Sequence, residues 1–167
     1  YTGANDSVGT LLAQRNFNSF SDRGAYVRSI RPYAFYCCGN LRSVFFPAVS
    51  QIGQSAFYSC ANLNSVSFPA AVSIGEYAFF SCSYLRETAF PALENLGQYA
   101  FGSCSRLTTL SVPKLKEVAA GGFISCRSLS YVALPSATTI GSYAFYGCDV
   151  LSSISVPLVQ EISSEAF

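Results

Sequence analysis

Cysteine is the residue type in this sequence that could form disulfides, bind a metal ion or act as a nucleophile. The chain has 167 residues and seven cysteines. Six of them recur at one constant interval: Cys38, Cys60, Cys82, Cys104, Cys126 and Cys148. Parallel side chains at successive equivalent positions rarely reach the torsion of a disulfide, whereas small apolar thiols fill a buried column well. We therefore expect six buried free thiols. Cys37 lies outside this series and is the one candidate for an exposed thiol, with a paired cysteine as the alternative.

Histidine is absent from the sequence, and this limits the chemistry further. Ser-His-Asp and Cys-His nucleophiles and histidine acid–base catalysis are excluded. A zinc site is not expected, because the chain has no Cys-x-x-Cys pair and no histidine to complete a mixed ligand set. Glu76, Glu87 and Glu94 occupy different positions of the repeat, so no pair of carboxylates recurs. The sequence therefore predicts a non-catalytic protein without a metal or another cofactor.

Charge and hydropathy exclude two further classes. The net charge is +1 and only 11% of the residues are charged, so a nucleic-acid site, which needs clustered Lys and Arg, is not expected. Mean hydropathy is +0.32, but serine, glycine and proline interrupt every apolar run. None approaches the roughly 20 residues of a membrane-spanning helix. The chain begins at Tyr1 and stops at Phe167 within a repeat, which predicts a piece of a longer protein.

The cysteine interval is shared by four other columns, and this period must set the fold. The strongest column is Phe35, Phe57, Phe79, Phe101, Phe123, Phe145 and Phe167. An aliphatic residue precedes each phenylalanine by five residues, and leucine and proline follow the first six of them by six and twelve residues. A strict period of about 22 residues indicates a solenoid, in which each unit buries its faces against its neighbours.

The pattern within one period predicts the elements of each coil. Residues 63–69 alternate apolar and polar side chains and end in proline, which is typical of a short strand. Residues 56–60 space Ala, Phe and Cys three and four apart, so one α- or 3₁₀-helical turn would point all three inward. Glycines near this turn are expected to supply a backbone conformation that other residues disfavour: Gly53, Gly75, Gly97 and Gly141. We therefore predict one short parallel strand and one short helical turn per coil.

Residues 52–69 read I-G-x-x-A-F-x-x-C-x-x-L-x-x-V-x-F-P, and this pattern resembles the BspA-like, bacterial surface-antigen class of leucine-rich repeats. The resemblance covers residues 27–167. It implies a right-handed, curved solenoid of about six full coils, C-terminally incomplete, on a bacterial or protist surface and engaged in adhesion and protein binding. Two departures stand out: proline replaces the usual asparagine after the strand, and the glycines of residues 118–123 are displaced, which puts regular local order there in question.

Residues 1–26 lack the repeat columns. Ser7 is placed to cap a short helix through Val8, Leu11 and Leu12, whose spacing puts them on one face. A solenoid needs its end covered to stay soluble, so this segment is interpreted as an N-terminal cap, with a flexible leader as the alternative.

Function is expected on surfaces that the repeat does not dictate. The outward strand residues would line the concave side, and most are small and polar. We assign a candidate binding site to the exceptions Phe45, Glu87 and Tyr131, together with Thr109 on the same face, because exposed aromatic residues are typical anchors of protein contacts; an ordinary solvated sheet face is the alternative. Two aromatic columns accompany the turns: Tyr33, Tyr77, Tyr99 and Tyr143, and Tyr36, Tyr58, Phe80 and Tyr146. These rings could hold a glycan or a protein, or they could simply pack between coils.

These observations favour a non-catalytic module that binds a protein through the concave face, and the resemblance implies an extracellular or cell-surface module of bacterial origin that acts in adhesion or host interaction. A structural spacer or fibre element of a larger surface or phage-appendage protein is the alternative. Glycan binding on the aromatic side is a minor one. No membrane span and no nucleic-acid partner are expected.

Overall fold

The computed structural model describes residues 18–167, with Glu87 described by its backbone. The predicted helix around Ser7 therefore lies outside the described residues. Residues 18–167 contain no candidate for a membrane-spanning helix.

Each coil contains two short parallel strands rather than the one that was predicted. The first kind has three residues: β1 (Ser19–Ser21), β3 (Ser43–Phe45), β5 (Ser65–Ser67), β7 (Glu87–Ala89), β9 (Thr109–Ser111), β11 (Tyr131–Ala133) and β13 (Ser153–Ser155). The second kind has two: β2 (Ser29–Ile30), β4 (Gln51–Ile52), β6 (Ser73–Ile74), β8 (Asn95–Leu96), β10 (Glu117–Val118), β12 (Thr139–Ile140) and β14 (Glu161–Ile162). Both kinds form parallel, in-register sheets with the equivalent strands of neighbouring coils, two sheets of each kind, so two parallel ladders, each divided once, run along a leucine-rich repeat solenoid.

The predicted helical turn is wrong. At Phe57 the chain forms consecutive hydrogen-bonded turns, in which the Tyr58 amide donates to the Ser55 carbonyl at 3.2 Å and the Cys60 amide to the Phe57 carbonyl at 3.1 Å. The amide between them, that of Ser59, donates instead to the Phe80 carbonyl of the next coil at 2.8 Å, and the Phe57 amide donates to Ala78 at 2.7 Å. A helix would use all of these amides within one coil, whereas alternation lets a third ladder join the coils.

We call this third side of the solenoid the turn edge, and it comprises residues 32–38, 54–60, 76–82, 98–104, 120–126 and 142–148. The alternation needs left-handed residues at two positions per turn, such as Tyr77 at φ 54° and Ser81 at φ 58°. In the fifth turn Gly121 takes this role at φ 61°. The displaced glycines of residues 118–123 therefore leave the turn itself regular.

The repeated glycines before the turns do not adopt the conformation that was predicted for them. Their φ angles lie outside the left-handed region. Instead, a Cβ on Gly75 would lie 2.6 Å from the backbone nitrogen of Gln54, and one on Gly141 would lie 2.8 Å from that of Ala120. Glycine is needed here because the backbones of successive coils approach closely.

The predicted inward columns form one continuous core. Phenylalanines at positions 57, 79, 101 and 123 are completely buried. Along the whole column, successive rings are stacked with centroids 4.9 to 5.6 Å apart. Burying each such ring contributes roughly 1.5–3 kcal/mol, so the column is a large part of what holds the coils together.

The first strand belongs to the solenoid although its coil is longer. β1 pairs with β3 through Ser19 and Ser43, whereas β3 pairs with β5 through Ser43 and Ser65, so the first coil is two residues longer than the next. Phe20 stacks on Phe46 with centroids 4.9 Å apart. The extra length lies between β1 and β2, where the buried carboxylate of Asp22 accepts a hydrogen bond from the Val27 amide at 2.8 Å. Residues 18–26 of the segment predicted as a cap or leader thus contribute a strand to the first ladder.

Candidate interaction surface

The three-residue strands place their central residue in the core and leave the two flanking positions outside it. The central residues Val44, Leu110 and Val132 are buried. We call the surface at the flanking positions of β3, β5, β7, β9, β11 and β13 the strand face. Small side chains cover most of it, because serine, threonine and alanine occupy most of the flanking positions. The strand face therefore offers a smooth surface on which larger side chains stand out.

Three of the four candidate residues lie side by side on this face. Glu87 is in register with Thr109, and Thr109 with Tyr131, on the successive strands β7, β9 and β11. Neighbouring strands are about 4.8 Å apart, so these positions form a short row across the solenoid. The Tyr131 side chain is 48% exposed and Thr109 is exposed as well.

Phe45 lies on the same face but is not joined to this row. It ends β3, where it is in register with Ser67 of β5, and its side chain is 40% exposed. The whole of β5 separates it from the strand that carries Glu87. A partner that touches both Phe45 and Tyr131 must therefore span several coils.

A cation–π pair beside this face was not found from the sequence. The guanidinium carbon of Arg106 lies 4.0 Å from the ring centroid of Tyr84, in a cation–π contact between successive coils. Both residues precede the strand face by three residues, before β9 and β7. Their separation by one full period of the repeat was the available signal. It is weak, because other coils carry Asn, Ser or Val at this position.

The aromatic columns of the turn edge pack between coils. Tyr58 stacks on Tyr36 at a centroid distance of 5.0 Å and on Phe80 at 5.4 Å, with nearly parallel rings. Tyr77 and Tyr99 stack at 5.1 Å. Stacked rings cover one another's faces and leave mainly their edges to solvent. The packing interpretation of these columns is therefore confirmed for the stacked members.

The thiols form the buried column that was predicted. All seven are free; Cys37 is exposed, Cys148 half-buried and the remaining five buried. Each thiol from the second of the column onward donates to the phenylalanine carbonyl of the preceding coil, as Cys60 does to Phe35 at 3.0 Å and Cys104 to Phe79 at 3.2 Å.

Burial sets the acidity of this column. It raises the pKa of Cys82, Cys104 and Cys126 well above the ordinary value and that of Cys38 and Cys148 to about 11. These thiols are therefore protonated at neutral pH and are poor nucleophiles. Within residues 18–167, no group of three or more potential ligand side chains is placed to hold a metal ion.

Comparisons with known families and with solved structures both find leucine-rich repeat proteins. A family model described as BspA type leucine rich repeat region matches in six copies, over residues 14–129 and 116–167. The crystal structure of the leucine-rich repeat protein TpLRR from T. pallidum is similar with a TM-score of 0.80 and 26% identity, and the match covers 89% of this chain and 74% of that one. No curated protein sequence matches this chain significantly.

Two further solved structures share the architecture. A leucine-rich repeat protein from Bacteroides ovatus matches with a TM-score of 0.65 and 26% identity over 83% of this chain. One from Eubacterium ventriosum matches with a TM-score of 0.54 over 90% of this chain, and at 20% identity it bears on the fold alone. This chain spans only 43% and 36% of these two proteins.

Proposed function

This chain belongs to the BspA-type leucine-rich repeat family, and on that premise we propose that it is a non-catalytic interaction module of a bacterial cell-surface or secreted protein. It binds a protein partner through the strand face, with Phe45, Glu87, Thr109 and Tyr131 as the contact residues, in adhesion or host interaction. The argument for binding rather than catalysis is chemical. The sequence has no histidine, and the buried column thiols stay protonated at neutral pH.

The observation that carries this proposal is the exposure of Phe45 and Tyr131 on a face of small polar side chains. Exposed large aromatic residues cost solubility and are the commonest anchors of protein–protein contacts. The core does not need these two side chains, since the inward positions of the same strands are already filled by Val44 and Val132.

A screen against purified extracellular proteins tests the proposal. The double variant Phe45→Ala/Tyr131→Ala removes both anchors. The matched control is Tyr146→Ala, which removes an aromatic side chain of similar exposure, 52%, from the turn edge. We expect the wild type and the control to share at least one partner, and the double variant to bind it at least about tenfold more weakly.

Two other outcomes separate the alternatives. A partner that the double variant retains and Tyr146→Ala loses would move the site to the turn edge and revive glycan or protein binding there. We favour the strand face because the stacked rings expose edges, whereas sugar C–H groups pack against ring faces. Circular dichroism and thermal unfolding of all variants verify that the fold is intact.

A structural spacer is the second candidate, and one observation favours it. The turn edge repeats the same three inter-coil hydrogen bonds at successive steps, as a fibre element requires; at Phe79 they are Tyr77 to Gln98, Phe79 to Ala100 and Ser81 to Gly102. A spacer has no specific contact residues, so the double variant would then behave as wild type in every binding assay.

A further inference from the structure

The first strand ladder is interrupted in the middle of the molecule. β5 and β7 belong to different sheets, whose orders are β1-β3-β5 and β7-β9-β11-β13. At other steps the residue before the strand donates its amide to the preceding coil, as Thr108 does to Arg86 at 2.8 Å. Among the described residues no such bond joins Arg86 to Asn64.

The second ladder is interrupted one coil step later. Its sheets are β2-β4-β6-β8 and β10-β12-β14, so β8 and β10 are not paired. Elsewhere the residue after the strand donates to the preceding coil, as Gly97 does to Ile74 at 2.7 Å and Gly141 to Val118 at 2.8 Å. In the described part of the chain, Ala119 makes no equivalent bond to Leu96.

Each interruption coincides with a residue that breaks its column. Ala119 stands where four other coils have glycine. A Cβ at this position is forced against the neighbouring backbone, as it would be on Gly97 against the nitrogen of Glu76. Leu96, beneath the gap, is 9% exposed, whereas its equivalents Ile74 and Ile140 are 1% and 0% exposed. We infer that the alanine methyl group contributes to this gap; a side chain at this position does not open the ladder by itself, since Ser163 after β14 donates its amide to Ile140 at 2.8 Å.

Thr88 is the corresponding residue at the first gap. It is buried in the column that otherwise holds Phe20 and aliphatic side chains. Its hydroxyl has no hydrogen-bond partner among the described residues. A buried hydroxyl without a partner destabilises its surroundings, so Thr88 weakens the packing of β7 beside the first gap.

The turn edge is continuous past both gaps. The amides of Phe57, Phe79 and Phe101 donate to the next coil at 2.7, 2.7 and 2.9 Å. In the segment of residues 87–96, β7 therefore pairs only with β9 of the next coil, and β8 pairs only with β6 of the preceding coil. The hydrogen bonds of the turn edge join this coil to both neighbours.

We propose that residues 87–96 form a joint, at which the two strand ladders open and close while the turn edge acts as the hinge line. Opening separates two rigid half-sheets. One carries Phe45, and the other carries Glu87, Thr109 and Tyr131. The joint itself does not depend on the proposed function. Its consequence does: if the strand face binds a partner, the joint sets the spacing between the two aromatic anchors.

Amide hydrogen exchange, measured residue by residue by NMR on the 167-residue chain, tests the joint. We expect the amides of Arg86 and Ala119 to have protection factors at least about tenfold lower than those of Thr108 and Gly141, their equivalents in closed steps. The turn-edge amide of Phe101 should stay protected. Equal protection of Arg86 and Thr108 and of Ala119 and Gly141 would overturn the joint. So would a Phe101 amide that exchanges as fast as Ala119, since the whole coil would then be unfolding.

Two substitutions test the cause. Ala119→Gly should close the second gap and raise the protection of the residue 119 amide by at least about tenfold. Gly97→Ala, the matched reverse change, should lower the protection of its own amide at a step that is now closed. If Gly97→Ala fails to fold, Ala119→Gly decides alone, because an unchanged protection factor in that variant contradicts the proposal. Neither substitution touches the strand-face residues, so the joint can fail while the binding proposal stands, and the reverse.

Discussion

The turn edge and the strand side of this solenoid are made of the same repeat but are held together differently. On the turn edge, alternate amides cross to the next coil, five column thiols donate back to the preceding one, and phenylalanine rings stack behind both. On the strand side, the strands have only two or three residues and both ladders are interrupted near residues 87–96. The coils are therefore joined most tightly at the turn edge, where the Phe and Cys columns repeat without exception. The strand side, whose residues vary more from coil to coil, is joined less tightly.

The largest expected difference is between two phenylalanines. Phe101→Ala on the turn edge should destabilise the protein by about 3–5 kcal/mol, because the completely buried ring leaves a cavity between Phe79 and Phe123. Phe45→Ala on the strand face should cost less than about 1 kcal/mol. Urea unfolding of both variants measures this, and a loss below about 1 kcal/mol for Phe101→Ala would contradict its place in the core.

The thiol column should make the turn edge sensitive to alkali. In the fold, burial raises the pKa of Cys82, Cys104 and Cys126 well above the usual 9.0. Unfolded thiols ionise above pH 9 while the folded ones stay protonated, so stability is complete below pH 9 and falls as pH rises. Above pH 9, each such thiol lowers the free energy of unfolding by about 1.4 kcal/mol per pH unit. Reduced protein unfolded with urea at pH 8 and pH 10 measures this.

Cys104→Ala is the control for this effect. In this variant the free energy of unfolding should fall less steeply with pH, by the contribution of one thiol. An unchanged slope would contradict the burial of Cys104. Titration with a thiol reagent at pH 8 should modify Cys37 rapidly and the column slowly. Fewer than about five reactive groups after denaturation without reductant would show that column thiols are paired.

Thr88→Val tests whether the strand side is weakened by a buried hydroxyl. It removes the buried hydroxyl that has no partner and restores the aliphatic column, so we expect a stability gain of about 1 kcal/mol. The same change at exposed Thr109 should alter stability by less than about 0.5 kcal/mol. Thermal and urea unfolding compare the two, and a loss at Thr88 would mean that its hydroxyl is satisfied in solution.

The smallest expected effect is that of a serine-to-glycine substitution on stability, which should have opposite signs on the turn edge and on the strand side. Ser81→Gly should stabilise by up to about 1 kcal/mol, because φ of 58° is strained for serine and free of strain for glycine. Ser65→Gly in β5 should destabilise by about 0.5–1 kcal/mol, because glycine loses more entropy in an extended strand. Equal signs would show that the turn edge is less strained than its φ angles indicate.

The sequence predicted the parts of this fold that depend on spacing alone. The Phe and Cys columns and the alternation through Phe68 fixed which side chains face inward. The helical turn was wrong because Ala56, Phe57 and Cys60 meet on one side equally well in consecutive turns with left-handed residues. The choice between the two depends on inter-coil hydrogen bonds, which one coil's sequence does not show.

Other features lay beyond the sequence for similar reasons. Strands such as β4 were missed because two residues are too short for any alternation. The role of Gly75 was misread because a close approach between coils depends on their separation rather than on local conformation. The row of Glu87, Thr109 and Tyr131 and the separation of Phe45 from it both followed from the period, but the interruption between β5 and β7 depended on which strands pair.

The longer first coil has a practical consequence. Between β1 and β2 the chain carries two residues more than the equivalent connection between β3 and β4, and the carboxylate of Asp22 holds the bend without disturbing the register of either strand. Corners between the two ladders are thus where this architecture absorbs a change in chain length. An epitope tag or a reporter peptide inserted there should be displayed outward, and whole coils should be exchangeable between such corners.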